Sequence, residues 1–407
     1  MRILIVTPSP PEPPHWGFNI RVHQFLKHLG KRHEVSVLCY TEPDQAEAIE
    51  MLEPLCASLH TVPRPDERRQ MLRRRQLRSL FSGHSFHGHH LWSPAMQAAI
   101  DRVIAERDPD LIQVESSRLG VFRFGRQSVT ILDEHNLEYE LLERMSRTDR
   151  SVFRKAYTWL ESVKFRREEQ AWWRRFDGCI LTSDREQAVV AHQVRDLPTA
   201  VVPNGVDVEY FRPRDEPVDP FSIVFTGLMT YRPNADAAVY FIREVLPLVR
   251  RSRPNARFTA VGWGLPPDLA RLLGDGVTHT GRVPDVRPYL AQAGVVVVPL
   301  RMGSGTRLKV LEGLAMGKGL VSTTLGCEGV SVEPGRHMLV ADDPNRFAAS
   351  VVELMDDAAL RTRFGVAGRE LVVREYSWSS VVQGLERFHE VRVASTRPVG
   401  RAVAVAL

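Results

Sequence analysis

The sequence predicts an α/β protein made of two doubly wound, parallel-sheet units, and three observations predict it. Short segments rich in β-branched residues are apolar on both faces, as strands covered by helices on two sides must be. They alternate with longer stretches whose apolar residues recur at helical spacing. The alternation runs through twice, and a connection punctuated by Pro203, Gly205 and Pro213 separates the two passes. No repeat at a solenoid period competes with this pattern.

Taken in order, the first pass offers strands at Ile3–Thr7, Val35–Cys39, Leu59–Val62, Leu111–Val114, Val129–Leu132, Cys179–Thr182 and Ala200–Val202. The second offers Ser222–Phe225, Phe258–Val261, Val277–Thr280, Val295–Val298, Leu320–Ser322 and Met338–Val340. Helical patterns between them supply the crossovers that parallel strands need. With 407 residues the chain has room for two or three cores, and 43% hydrophobic with 25% charged residues is a globular composition. A net charge of +5 suits anionic partners without choosing among nucleotides, nucleic acid and a phospholipid surface. Cys39, Cys56, Cys179 and Cys327 are widely spaced, which points to a reducing compartment and away from a disulfide framework or a zinc–thiolate site. The chain runs directly into a strand, so no signal peptide is expected, and no stretch has the length of a membrane-spanning helix.

Ligands of doubly wound sheets bind beyond the carboxyl ends of the strands, so two such units facing each other would bind across a cleft. One strand end concentrates chemistry. After Gly294–Pro299 come Gly303, Ser304, Gly305, Thr306, Arg307 and Lys309, then a helix with apolar Leu308, Leu311, Leu314 and Ala315. Gly303 and Gly305 let backbone N–H groups approach an anion, and a helix opening near Thr306 adds unpaired N–H groups and a positive dipole end. Arg307 and Lys309 add full charges, and Glu312, further along the helix, is placed for ribose hydroxyls. The alternative is an ordinary strand-turn-helix with both cations in solvent. At another strand end, Asp133-Glu-His-Asn136 offers proton handling or sugar-hydroxyl binding through His135, against helix capping by Asp133 or Asn136. The proline-rich loop before Gly17 opens a helix carrying Arg21 and His23, and Gly17 with that helix start would cover a donor phosphate; a rigid surface loop is the alternative.

Other motifs carry less. Gly262-Trp-Gly264 lacks the third glycine of a dinucleotide fingerprint. Asp108-Pro-Asp110 precedes its strand and reads as a turn. The tract His84-Ser-Phe-His-Gly-His-His90 could hold a transition metal, but it has no carboxylate or thiol neighbour in the sequence and reads as a solvated loop. No metal-ligand set is assigned.

Four segments, Asn204-Gly-Val-Asp207, Phe225-Thr-Gly-Leu-Met-x-x-x-Pro-Asn-Ala-Asp236, Gly281-Arg-Val-Pro-Asp285 and Gly305-Thr-Arg-Leu-Lys-Val-Leu-Glu312, together resemble the GT-B glycosyltransferases of family four. The likeness extends over nearly the whole chain and leans toward bacterial sugar transferases of exopolysaccharide assembly. It implies two Rossmann-like domains facing across a cleft: an acceptor-binding domain at 1–202 and a nucleotide-sugar-binding domain at 203–376. It also implies a helix at 377–395 crossing back to the first domain near Tyr376-Ser-Trp378; 396–407 reads as a tail. It assigns Glu312 to the ribose, the backbone near Val283 to the base, the Gly303–Arg307 loop to the diphosphate and His135 to the transferring sugar, with Gly227 among the residues that bind the donor. It further implies retention of configuration and chemistry without a metal ion or other cofactor.

Two positions depart from the family pattern. Ser304 stands where many relatives carry a second Glu, and Leu228 and Pro233 stand where an Arg and a Lys are usual. The cations left to neutralise a leaving diphosphate are then Arg307 and Lys309, with Arg232.

The function expected is transfer of a sugar from a nucleoside diphosphate to a hydroxyl of a glycan or lipid-linked acceptor, with no nucleic-acid partner. The alternatives are a nucleotide-sugar epimerase of the same fold and a non-catalytic binder of anionic polymer or membrane. The segment Arg68–Phe81 interleaves arginines with Met71, Leu72, Leu77, Leu80 and Phe81, and Phe153–Arg175 is again basic and aromatic. Both suit an interfacial helix, so the expected location is the cytoplasm, peripheral to the inner face of the membrane, with solvated helices as the alternative.

Overall fold

The computed structural model describes residues 1–14, 16–65, 69–148, 151–303 and 307–396. Ser304, Gly305 and Thr306 of the expected phosphate loop, and 397–407 of the expected tail, lie outside them. Every expected strand forms: β1 (Arg2–Thr7), β2 (Glu34–Thr41), β3 (Ser58–Pro63), β4 (Leu111–Glu115), β5 (Val129–Glu134), β6 (Gly178–Leu181) and β7 (Thr199–Val201) come first. Then follow β8 (Asp219–Thr226), β9 (Arg257–Val261), β10 (Val277–His279), β11 (Ala293–Val298), β12 (Leu320–Ser322) and β13 (Leu339–Val340). They build two parallel sheets, in the orders β3-β2-β1-β4-β5-β6-β7 and β10-β9-β8-β11-β12-β13. All six residues of β11 are buried, which is why its valines show no alternation in the sequence. Each fully buried valine side chain contributes about 1.5–3 kcal/mol relative to exposure.

In each sheet the chain first builds outward in one direction and then returns to add strands on the other side of its first strand. The turning points are β1 beside β4 and β8 beside β11. Loops leaving such a pair diverge to opposite faces and leave a crevice between them, so the geometry selects two strand ends per unit as places for a ligand.

The chain divides into two compact units, Met1–Pro203 with the chain from Val382 onward, and Asn204–Val381. The first core gathers Leu4, Val6, Ile112, Val114, Leu132, Phe165 and Trp173. The second gathers Phe225, Phe241, Phe258, Val295, Val297, Leu311 and Phe347. From Val382 onward the helix Trp378–Thr396 belongs to the first unit. There Glu386 pairs with Arg32 and accepts from His33 at 3.1 Å, and Arg392 Nε donates to the Asp177 carbonyl at 3.0 Å. In the second unit Val206 bridges to Ser377, and the Val206 N–H donates to the Tyr376 carbonyl at 2.8 Å.

Asp108-Pro-Asp110 is a turn, with Asp108 at φ 43° and Asp110 Oδ2 accepting the Arg2 N–H at 2.8 Å. The histidine tract corrects its expectation. It is not a solvated loop: Ser85 caps the short helix Phe86–His89, and Glu168 supplies the carboxylate that the local sequence lacks. The partner comes from a helix about eighty positions on, beyond the reach of local pattern. Among the described residues no helix is long and apolar enough to cross a membrane.

Candidate active site

In the second unit the chain leaves β11, passes Gly303 and enters the helix Leu308–Ala315, which opens just beyond the expected Thr306 with Arg307 as its N-cap. Gly303 sits at φ 126°, a conformation that side chains rarely adopt, and a Cβ there would lie 3.1 Å from Arg307 Nη1. The glycine thus leaves the space along which the guanidinium lies. Arg307 is buried; its Nε donates to the Leu325 carbonyl at 3.2 Å, and its Nη2 is 3.6 Å from the Glu328 carboxylate. The alternative of an arginine in solvent is excluded, because a buried guanidinium has to be met by acceptors.

Lys309 is not in solvent either. Its Nζ donates to Asn234 Oδ1 at 2.8 Å and lies 5.2 Å from the centre of the Phe225 ring. Burial, opposed by Glu312 and reinforced by Arg307, brings its ammonium down to about 8. Glu312, one turn further on, is pushed up by burial, with Lys309 opposing. Asn234 in turn donates to the Leu228 carbonyl at 2.9 Å and occupies the space where a Cβ on Gly227 would fall, 2.7 Å from its Nδ2. Gly227, Asn234 and Lys309 therefore form one contiguous group spanning β8 and β11. Arg232 opens the next helix, Arg232–Tyr240, and is exposed.

Gly262, given little weight above, belongs to the same place. At φ 143°, a Cβ on it would lie 2.0 Å from the Gly227 carbonyl oxygen. Its antiparallel bridge to Gly281 ties in the loop holding Val283, which is half-buried against the core. The loops after β8, β9 and β10 thus pack as one block. Asn234 and Gly262 have a place in this site that the sequence did not assign to them. The signals were present, in Pro-Asn-Ala-Asp236 and in two glycines directly after a strand.

In the first unit β4 and β5 are in register so that Glu115 lies beside Asp133, both fully buried. Two carboxylates side by side need compensation, and Arg21 provides it. Its Nε and Nη2 donate to the two oxygens of Asp133 at 2.8 and 2.9 Å, with both side chains at 0% exposure. Burial raises the Asp133 carboxyl, but Arg21 and then His135 more than reverse this and hold it below its ordinary value. Glu115 is pushed up, by burial and by the charge of Asp133. It accepts from His135 Nε2 at 2.8 Å and from Gln113 at 2.6 Å. Helix capping by Asp133 is therefore excluded. The His135 ring stacks on Phe18, centroids 4.6 Å apart, and Phe18 follows Gly17, the first residue of the helix Gly17–Leu29. Gly17 and His135 are thereby brought together. Donor atoms of Glu115, Asp133 and His135 lie close enough to surround an ion. Asp133 is already bound at both oxygens by a guanidinium, so the cluster orients the imidazole instead.

Both units thus carry a polar strand-end site, that at β8 and β11 cationic with an adjoining carboxylate, that at β4 and β5 an imidazole held by a carboxylate. The chain matches Glycosyltransferase Family 4 over residues 17–210 and Glycosyl transferases group 1 over 220–357. It belongs to the GT-B glycosyltransferases of family four. It is 27% identical over 202 residues to the GDP-mannose-dependent monoacylated alpha-(1-6)-phosphatidylinositol monomannoside mannosyltransferase of Corynebacterium glutamicum, a match covering 44% of this chain and 52% of that protein. The match thus spans about half the length of that relative. Among solved structures, sucrose-phosphate synthase from Thermosynechococcus elongatus is similar with a TM-score of 0.69 at 19% identity, covering 97% of this chain and 100% of that one. Anabaena HepE in complex with UDP is similar with a TM-score of 0.69 at 14% identity, covering 96% and 100%. These likenesses identify the two-sheet GT-B fold.

Proposed function

We propose that the protein transfers a sugar from a nucleoside diphosphate sugar to a hydroxyl of a glycan or lipid-linked acceptor, with retention and without a metal ion in the chemical step. The observation that carries this is Lys309, a partly buried cation held at the β8–β11 strand ends beside Arg307 and one turn from Glu312. A diphosphate would neutralise charge that burial disfavours, and the ribose would fall to Glu312. A nucleotide-sugar donor agrees with the GDP-mannose of the corynebacterial relative and the UDP of HepE. In this proposal His135 binds the transferring sugar, and Gly227, Val283 and the Gly303 loop line the donor. Release of free nucleoside diphosphate from a donor only when an acceptor is present tests it. Interconversion of donors without acceptor would instead identify an epimerase, and no nucleotide affinity a non-catalytic binder.

Three results are expected. Glu312→Ala is expected to weaken binding of donor and free nucleotide together, raising KM more than it lowers kcat, since ribose contacts persist from ground state to transition state; steady-state kinetics with nucleotide calorimetry checks this. A preorganised pair of cations needs no ion to stabilise the leaving diphosphate. Turnover should therefore survive a chelator, and activity abolished by it and restored by magnesium or manganese would refute that part.

The third concerns the membrane. The basic helices Arg69–Leu80 and Val152–Trp173 touch through Ser79 and Tyr157, 3.3 Å apart, and expose Leu77, Phe153 and Trp159, with Phe81 exposed just past the end of the first. We propose that this surface seats on anionic lipid, where each nearby basic residue contributes on the order of 1 kcal/mol. The protein should sediment with anionic liposomes at low salt and not with neutral ones; equal sedimentation removes the idea.

A further inference from the structure

We propose that His84, His89 and Glu168 form a site for a divalent transition-metal ion of the zinc class, seated between the short helix Phe86–His89 and the long helix Val152–Trp173. His84 Nδ1 and His89 Nε2 each lie 3.0 Å from the same oxygen, Glu168 Oε1, and the two rings are 4.5 Å apart between centroids. All three donor atoms fall within 4.8 Å of one another. An ion with bonds of about 2.0–2.2 Å in tetrahedral array holds its donors about 3.3–3.6 Å apart, so small shifts admit it. Two imidazoles and a carboxylate are a zinc donor set with one position left for water, and the imidazoles select against calcium and magnesium.

The site is assembled before any ion arrives. The Ser85 N–H donates to Glu168 Oε1 at 3.1 Å, and the Ser85 hydroxyl bonds its other oxygen. The N–H groups of Phe86 and His87 donate to Glu161 Oε2 at 2.6 and 3.3 Å. Gly88 passes so near that a Cβ on it would lie 2.5 Å from Glu168 Oε2. Two glutamates of one helix therefore fix the turn that carries both histidines. His84 is 71% exposed, which gives an ion entry from solvent. The contrast with the Glu115–Asp133–His135 cluster is physical, since no guanidinium claims Glu168 among its described bonds. A bound ion would clip the histidine turn to the long helix, and it has no part in sugar transfer.

The test uses the full chain without a histidine tag, stripped with chelator and titrated with Zn2+ by calorimetry and with Co2+ by visible absorption. One equivalent is expected to bind, to raise the melting temperature as a ligand specific to the native state does, and to give the intense Co2+ bands of low coordination. His84→Ala and His89→Ala, folded as judged by circular dichroism, should each weaken zinc binding by roughly tenfold or more. His135→Ala should bind zinc as the parent does. No zinc uptake beyond that seen with Ca2+, unchanged affinity in both histidine variants, or loss of zinc in His135→Ala would each overturn the assignment.

Discussion

Lys309→Ala is expected to lower kcat by roughly a hundredfold or more while changing affinity for the free nucleoside diphosphate far less. Charge grows on the diphosphate as the glycosidic bond breaks, and a cation already in place is worth most at that moment. The lysine is held by Asn234 at 2.8 Å, so it needs no reorganisation to act. Its ammonium lies near 8 in the free protein, which adds a sign. The required form is the protonated one, so kcat/KM should fall as pH rises through about 8, and this limb should flatten in Lys309→Ala. Arg307→Ala should also act mainly on kcat and by a similar factor. It additionally breaks the contact with Glu328 and empties the space beside Gly303, so its melting temperature must be measured alongside. Parental kinetics in both variants, with folds intact, would show that the site is elsewhere.

Asp133→Ala should cost about 3–5 kcal/mol of stability, the range for removing one partner of a fully buried ion pair. The loss arises less from the missing attraction than from Arg21, left charged at 0% exposure. The double variant Arg21→Met with Asp133→Leu should therefore be far less damaged than Asp133→Ala alone, which a urea denaturation series at pH 7 would show. Because the folded Asp133 carboxyl is held below its ordinary value of 3.8, the pair's contribution is complete above that value. It is lost as pH falls through the lower folded value. A cost below about 1 kcal/mol for Asp133→Ala would mean that the pair is hydrated in solution.

The sheets were legible because their strands are buried on both faces, and continuous β-branched runs such as Val295–Val298 have few other uses. The second-unit site was legible as far as its residues are neighbours in sequence: Gly303, Arg307, Lys309 and Glu312 lie on one turn and one helix. What local pattern could not show was contact between distant segments. Asn234 receives Lys309 from 75 positions away, Arg21 meets Asp133 across 112, and Glu168 reaches His84 across 84. In each case both partners were visible as polar residues, and only packing said which acceptor a buried donor finds. Arg307 shows the same limit from the other side, since the sequence marked it as a phosphate ligand without revealing that Leu325 and Glu328 already hold it.

The chain leaves the first unit at Pro203 and re-enters it at Val382, and this route fixes an order of events during synthesis. All of Asn204–Val381 emerges from the ribosome as one uninterrupted piece, and its described core residues, Val206 to Tyr376, all lie within it. The first unit begins earlier and finishes last. Until the final helix has been made, His33 lacks Glu386, the Asp177 carbonyl lacks Arg392, and Gly178 is not yet covered by Phe388. The half-built first unit therefore waits with its helix-binding flank uncovered while the second is translated, and a nascent chain stalled anywhere between 204 and 381 carries that bare surface.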